Sequence, residues 1–136
     1  IKSIVELFED TIGGHHEADQ LSRWLLSSKM VILVVLDDES LRGAVVGQMT
    51  DHEAEIFDLA VAVRFRRSGV AAQLTEAFIE RGRSRGIQSI FLEVRKTNAA
   101  AIALYSSRGF AHCGERPGYY PDGESAMVLQ WSNPCS

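Results

Sequence analysis

The chain is poor in cysteine. Cys113 and Cys135 are its only two, and they lie too far apart to form a CxxC pair. No histidine–cysteine cluster has metal-ligand spacing, so no metal is expected. Free thiols in a reducing compartment follow as the simpler reading, and with them a cytoplasmic location. Long apolar runs are missing too. The longest, Met30 to Leu36, falls well short of the roughly 20 residues that a bilayer-crossing helix needs, so a membrane-spanning chain is excluded as an expectation. No charged segment followed by an apolar one opens the sequence, and nothing there reads as a secretory leader. Positive charge is also in deficit, with a formal net charge of −4 at pH 7. General nucleic-acid binding usually needs a basic domain, so that class is set aside. Internal repeats, linkers and low-complexity tracts are absent.

What is present is the composition of a folded domain. The 136 residues are 46% hydrophobic and 24% charged, enough chain for one domain with its own core. A single domain over residues 1–136 is therefore expected. Ile1 is not a natural start residue, which points to a fragment or a processed form. Charge is unevenly distributed: residues 1–63 carry four basic and twelve acidic side chains, and residues 64–136 carry ten and six. Such a division suits an anionic ligand on one half and a cationic one on the other, although chance produces the same pattern.

Hydrophobic spacing orders the elements. Ile4, Leu7 and Phe8, then Leu21, Trp24 and Leu25, recur as two helical stripes. Val31 to Leu36, Leu41 to Met49 and Ala54 to Val63 read as strands, the first as a buried β-branched run. Val70 to Arg83 has helical period and stops at Gly86; Ser89 to Val94 is a strand. Asn98 to Arg108 is a helix with Asn98 as its N-cap and Gly109 just past its end. Phe110 to Glu115 and Ser125 to Trp131 close the pattern around Pro117-Gly118 and Pro121-Asp122-Gly123. The order predicts one mixed α/β domain.

Three segments can carry chemistry. Arg66-Arg67-Ser68-Gly69-Val70-Ala71 joins a strand to a helix, where unpaired amides and added arginine charge can cradle a phosphate. It is neither a Walker A loop nor a GxGxxG fingerprint, and a solvated basic turn reads equally from the same residues. Glu93 sits inside the strand, on one face with Phe91 and Arg95. Apolar neighbours can raise a carboxylate's pKa and fit it for base chemistry; a surface carboxylate paired with arginine is the plainer alternative. Asn98, Ile102 and Tyr105 form one stripe of the alanine-rich helix, where a phenol can donate a proton or simply pack.

Taken together, R-x-x-G-x-A after a strand and L-E-V-R-x-x-N-A-A-A-I-A-L-Y-x-x-x-G-F downstream strongly resemble the GNAT superfamily of acyl-CoA-dependent N-acetyltransferases. Within it, Gly118-Tyr119-Tyr120 and Glu124 to Leu129 are similar to segments of the bacterial ribosomal-protein N-terminal alanine acetyltransferases. The likeness runs from about Ala54 to Leu129. It implies an α/β (α+β) fold: a mixed, mostly antiparallel central sheet flanked by helices. The usual first strand is missing or cut to a stub at Ile1-Lys2. It also implies acetyl-CoA as co-substrate. Leu59, Ala60 and Val61 match the strand that pairs with the pantetheine arm. Arg66 opens the pyrophosphate loop, which Arg67, Ser68, Gly69, Val70, Ala71 and Ala72 continue, and Asn98 matches a further cofactor contact. Glu93 resembles the family's general base and Tyr105 its general acid. Tyr119 and Tyr120 lie in the connection that borders the acceptor groove.

The sequence also departs from the pattern. Ala71 stands where glycine is common, Val63 where proline is usual, and Ser125 where aspartate is usual, and the early chain lacks an F-P-W-like segment. The function implied is direct acetyl transfer, within a ternary complex, to the α-amine of a peptide or protein, with a small first residue such as alanine or serine. A small amine, such as an antibiotic or polyamine, is the alternative acceptor. A cofactor-binding sensor module without turnover is the alternative of another class. Neither cysteine matches a catalytic position, which disfavours an acetyl-cysteine intermediate.

Overall fold

The computed structural model describes residues 29–37 and 40–134. The expected helices in the first 28 residues, and the strand stub at Ile1-Lys2, lie outside them. Six strands form one sheet: β1 (Met30–Asp37), β2 (Ser40–Met49), β3 (Glu53–Val61), β4 (Ser89–Arg95), β5 (Ala111–Arg116) and β6 (Ala126–Ser132), in the spatial order β1-β2-β3-β4-β6-β5. Helix α1 (Val70–Ser84) connects β3 to β4, and helix α2 (Ala99–Ser107) connects β4 to β5. The sheet is antiparallel except between β3 and β4. The mixed, mostly antiparallel sheet with helices is the architecture expected.

The main core lies between the sheet and α1. Val70, Leu74, Phe78 and Ile79 recur on one helix face and are buried against Val45, Ile56, Ile90 and Leu92. Strand β4 alternates strictly: Ile90, Leu92 and Val94 enter this core, while Phe91, Glu93 and Arg95 are half-buried on the opposite face. β2 is covered on both faces, with Val45 in the main core and Ala44 and Val46 in a smaller cluster with Ala60.

Helix α2 is positioned by its ends. Asn98 Oδ1 accepts a hydrogen bond from the Ala101 amide at 3.1 Å, the N-cap that the sequence predicts. At the other end Phe110 N donates to Tyr105 O and Gly109 N to Ser106 O, a Schellman closure that needs the left-handed backbone of Gly109 at φ 95°. Its apolar contact is made by Tyr105 and Phe110, edge to face with ring centroids 5.6 Å apart. The Y-x-x-x-G-F pattern is thus a helix terminator that fixes the phenol's place.

One irregularity decides where a ligand can enter. The parallel ladder between β3 and β4 pairs only Glu53–Ile56 with Ser89–Leu92 and then ends. Beyond it, β3 remains paired with β2 and β4 with β6, so the sheet splits. At the split, Phe57 is an extra residue on β3, because Val46 faces Asp58 and Gly47 faces Ile56. The bulge reverses the alternation. Ala54 and Ile56 point into the main core before it, and Leu59 and Val61 do so after it. The sequence pattern predicts one unbroken strand from Ala54 to Val63. The structure corrects this, with the bulge inside it and a short 3-10 turn, Val63–Phe65, beyond its end.

Candidate active site

Both α1 and α2 start at the C-terminal ends of the two strands that part, so the split opens toward two helix N-termini. Ligands of open α/β sheets settle at such ends. At α1, Gly69 is the N-cap in the left-handed conformation (φ 84°, ψ 5°), and Arg67 is also left-handed at φ 64°. Gly69 brings no side chain to cap the helix, and a Cβ built there would meet nothing within 4 Å. The first-turn amides of Val70, Ala71 and Ala72 thus begin the helix without a side-chain partner, beside exposed Arg66 and Arg67. Ser68 donates its hydroxyl to Phe65 O, and Arg42 and Arg64 lie over the Phe65 ring at 4.9 and 5.0 Å, which ties the loop down. Leu59, Ala60 and Val61 form the β3 side of the split, and Asn98 stands at its α2 end.

Glu93 lies one residue past the end of the ladder, on the face away from α1. Its side chain is 17% exposed, and Oε2 is buried. Arg116 Nε comes within 3.2 Å of that oxygen, yet the pair lacks hydrogen-bond alignment. The proximity is real and the bond is not, so this is a loose ion pair with spare acceptor capacity on the carboxylate. Glu55 of β3 shares the face, opposite Phe91 in the register. Burial first, then the Glu93 charge, push its pKa above the ordinary value, while Arg116 works against them. Gln48, Glu55, Phe91, Glu93, Arg116 and Val128 are among the residues lining an open groove of about 290 Å³.

The connection between β5 and β6 closes over Glu93. Arg95 binds Asp122 and Glu124, each at 2.8 Å, and lies 4.1 Å over the Tyr120 ring. Thr97 donates from both backbone and hydroxyl to Glu124. Tyr119 and Tyr120 pack edge to face at 5.1 Å. The Tyr119 hydroxyl lies close enough to Glu93 to feel it: its pKa is raised by burial first and by the Glu93 carboxylate after it. Tyr120 is raised chiefly by burial, with Glu93 and Asp58 adding to it.

Tyr105 occupies the other side of the sheet, in the main core with Val94 and Leu92. Burial pushes its pKa well above the usual phenol value, and the Asp58 charge adds to it. Asp58 sits just past the bulge and accepts from the Leu59 amide at 2.9 Å. The structure therefore brings Glu93, Tyr119 and Tyr120 together and puts Tyr105 across the split beside Asp58. Glu55 and Arg116 are the residues that the sequence reading missed. Period-2 alternation on β3 is a signal for Glu55; Arg116 has none.

The acetyltransferase (GNAT) family model matches residues 1–110. The chain belongs to this family. A curated member, [Ribosomal protein bS18]-alanine N-acetyltransferase of Salmonella typhimurium, is 39% identical over 95 residues, covering 68% of this chain. That match spans 64% of the Salmonella protein's own length. The crystal structure of ribosomal-protein-S18-alanine N-acetyltransferase from Escherichia coli superposes with a TM-score of 0.82 at 27% identity, covering 96% of this chain and 89% of that one. The NatC complex bound to Gag peptide and CoA contains a chain that superposes with a TM-score of 0.76 at 26% identity, covering 87% and 80%.

Proposed function

We propose that this GNAT-family chain, acting as one domain over residues 1–136, is an N-acetyltransferase. It takes the acetyl group from acetyl-CoA and places it on the α-amine of a peptide or protein, with a cytoplasmic setting. The observation that carries the reading is the place of Glu93: a carboxylate with a buried, loosely paired oxygen at the junction of the strand split and the groove. The relatives are named as alanine N-acetyltransferases of a ribosomal protein, and the solved NatC neighbour holds a peptide and CoA, which supports a protein or peptide acceptor here.

In this reading the α1 amides of Val70 to Ala72, with Arg66, Arg67, Ser68 and Gly69, receive the pyrophosphate. Leu59 to Val61 offer backbone to the pantetheine arm, with Asn98 near the far wall. The acceptor lies in the groove under Tyr119 and Tyr120. Its ammonium gives one proton to Glu93, and the freed nitrogen attacks the thioester carbonyl carbon. The N–C bond forms and the C–S bond breaks. Tyr105, kept protonated by its buried position, lends a proton to the departing thiolate; the second proton shed by nitrogen balances it.

Release of CoA tests this with three acceptors: a peptide beginning with alanine, the same peptide acetylated at its N-terminus, and a polyamine. Turnover with the free peptide alone is expected. Turnover confined to the polyamine would assign a small-amine enzyme, and binding without turnover a sensor module.

A further inference from the structure

Three carboxylates line the groove, Glu53, Glu55 and Glu93; Arg116, 60% exposed at the end of β5, lines it too, pairs with Glu93 and acts through its charge on Glu55. Its Nε stands 3.2 Å from Glu93 Oε2 without the alignment of a hydrogen bond. It acts on Glu55 across the groove and lies 5.8 Å over the Tyr119 ring. Two carboxylates from neighbouring strands repel when both are ionised, and a cation between them removes that cost. An exposed, loosely held guanidinium is a cation that can leave. An acceptor's α-ammonium is a cation of the same sign that arrives at the same groove.

Resting on the acetyltransferase reading above, we propose that Arg116 is the resting counter-ion of a two-carboxylate seat, Glu55 and Glu93, and that the acceptor's α-ammonium takes its place. Arg116 is then a positioning residue. It balances the seat's negative charge between turnovers and competes with the acceptor for it. The charged and titratable groups that share the groove with Glu93 or act on it, among the described residues, include Glu53 and Glu55 from β3, Arg116 from β5, and Tyr119 and Tyr120 from the β5–β6 connection. Val128 of β6, its register partner, brings no charge.

Two measurements on Arg116→Gln, with Arg116→Lys as the charge-keeping control, decide it. The carboxyl ¹³C titration of Glu55, followed by NMR on the isolated protein, should move upward in Arg116→Gln by about one pH unit, the scale on which an opposite charge acts at this range. Arg116→Lys should restore most of it. In steady-state kinetics at pH 8, the KM for a peptide beginning with alanine should fall by about three- to tenfold in Arg116→Gln, because the resting competitor is gone. The acetyl-CoA KM should stay unchanged. A residue that merely braced the loop would leave the acceptor KM the same or higher, and that result overturns the proposal. An unmoved Glu55 titration overturns it as well. If no amine is acetylated by the wild type, the enzyme reading fails, while the titration still decides whether Arg116 is the counter-ion.

Discussion

At the scale of single residues, surroundings set the chemistry of the groove acids. Glu55 and Glu93 are carboxylates on neighbouring strands, and burial first, then the Glu93 charge, lift the pKa of Glu55. On the proposed mechanism, Glu93→Gln keeps the shape and removes the proton acceptor, so kcat should fall by roughly 10²–10⁴. The loss should shrink at high pH, where more of the amine is already neutral, and a pH series of CoA release measures it. Tyr105→Phe should lower kcat with little change in acetyl-CoA affinity by calorimetry, since the ring still packs on Phe110. The sign of its pKa shift adds a condition. Raised above the ordinary phenol value, Tyr105 keeps its proton through neutral and mildly alkaline pH, so its ionisation should not shape the rate profile there. Glu93 and Tyr105 are proposed from the sequence through the motifs around them. Arg116 is not, because its partners sit on β3 and β4, and only the sheet order folds β5 back beside them.

At the scale of elements, ends matter more than middles. Helix α2 buries little beyond Tyr105, so its caps carry a large share of its order. Asn98→Ala should cost about 1 kcal/mol in denaturant unfolding. At α1, Gly69→Val forces a β-branched residue into a left-handed backbone and puts a side chain where first-turn amides face solvent. Acetyl-CoA affinity should drop at least tenfold, about 1.4 kcal/mol, by calorimetry. The β5–β6 connection answers to acid. Asp122 is held below its usual 3.8, first by the Glu124 backbone amide and then by Arg95; Glu124 is held below 4.5, first by Thr97 and then by Arg95. Depressed carboxylates stabilise the fold above their unfolded values and lose that contribution as pH falls through the folded ones. The Tm gap between wild type and Glu124→Gln should therefore be full at pH 7 and close as the pH drops below 4. These caps and turns were readable because each is a local pattern of a few residues. The β3 bulge was not, since an extra residue is defined only against the partner strand.

For the whole molecule, the two-layer packing of α1 on the sheet depends on how near the helix comes to β2. A Cβ at Gly47 would stand 2.2 Å from Glu55 O and 2.8 Å from the Phe78 ring. Gly47→Ala should therefore destabilise the protein by about 1–3 kcal/mol in urea unfolding, as overpacked cores do, and disturb the strand that carries Glu55. The class of fold was open to a sequence reading, because helical and strand periods alternate cleanly along the chain. The arrangement that makes it useful was not: which two strands run parallel, and where they part, are set by pairings between residues more than thirty positions apart.

That parting leaves a mark on behaviour outside the reaction. From Leu59 on β3 and Glu93 on β4, the two strands no longer share a ladder. Strand edges outside a ladder are templates for foreign strands and seeds of self-association. A pantetheine arm laid along Leu59–Val61 would act as a third strand between them. Backbone amides there should exchange with deuterium more slowly once CoA is added. The empty protein should also clump at lower concentration than the loaded one, which makes the nucleotide a preservative as well as a reactant.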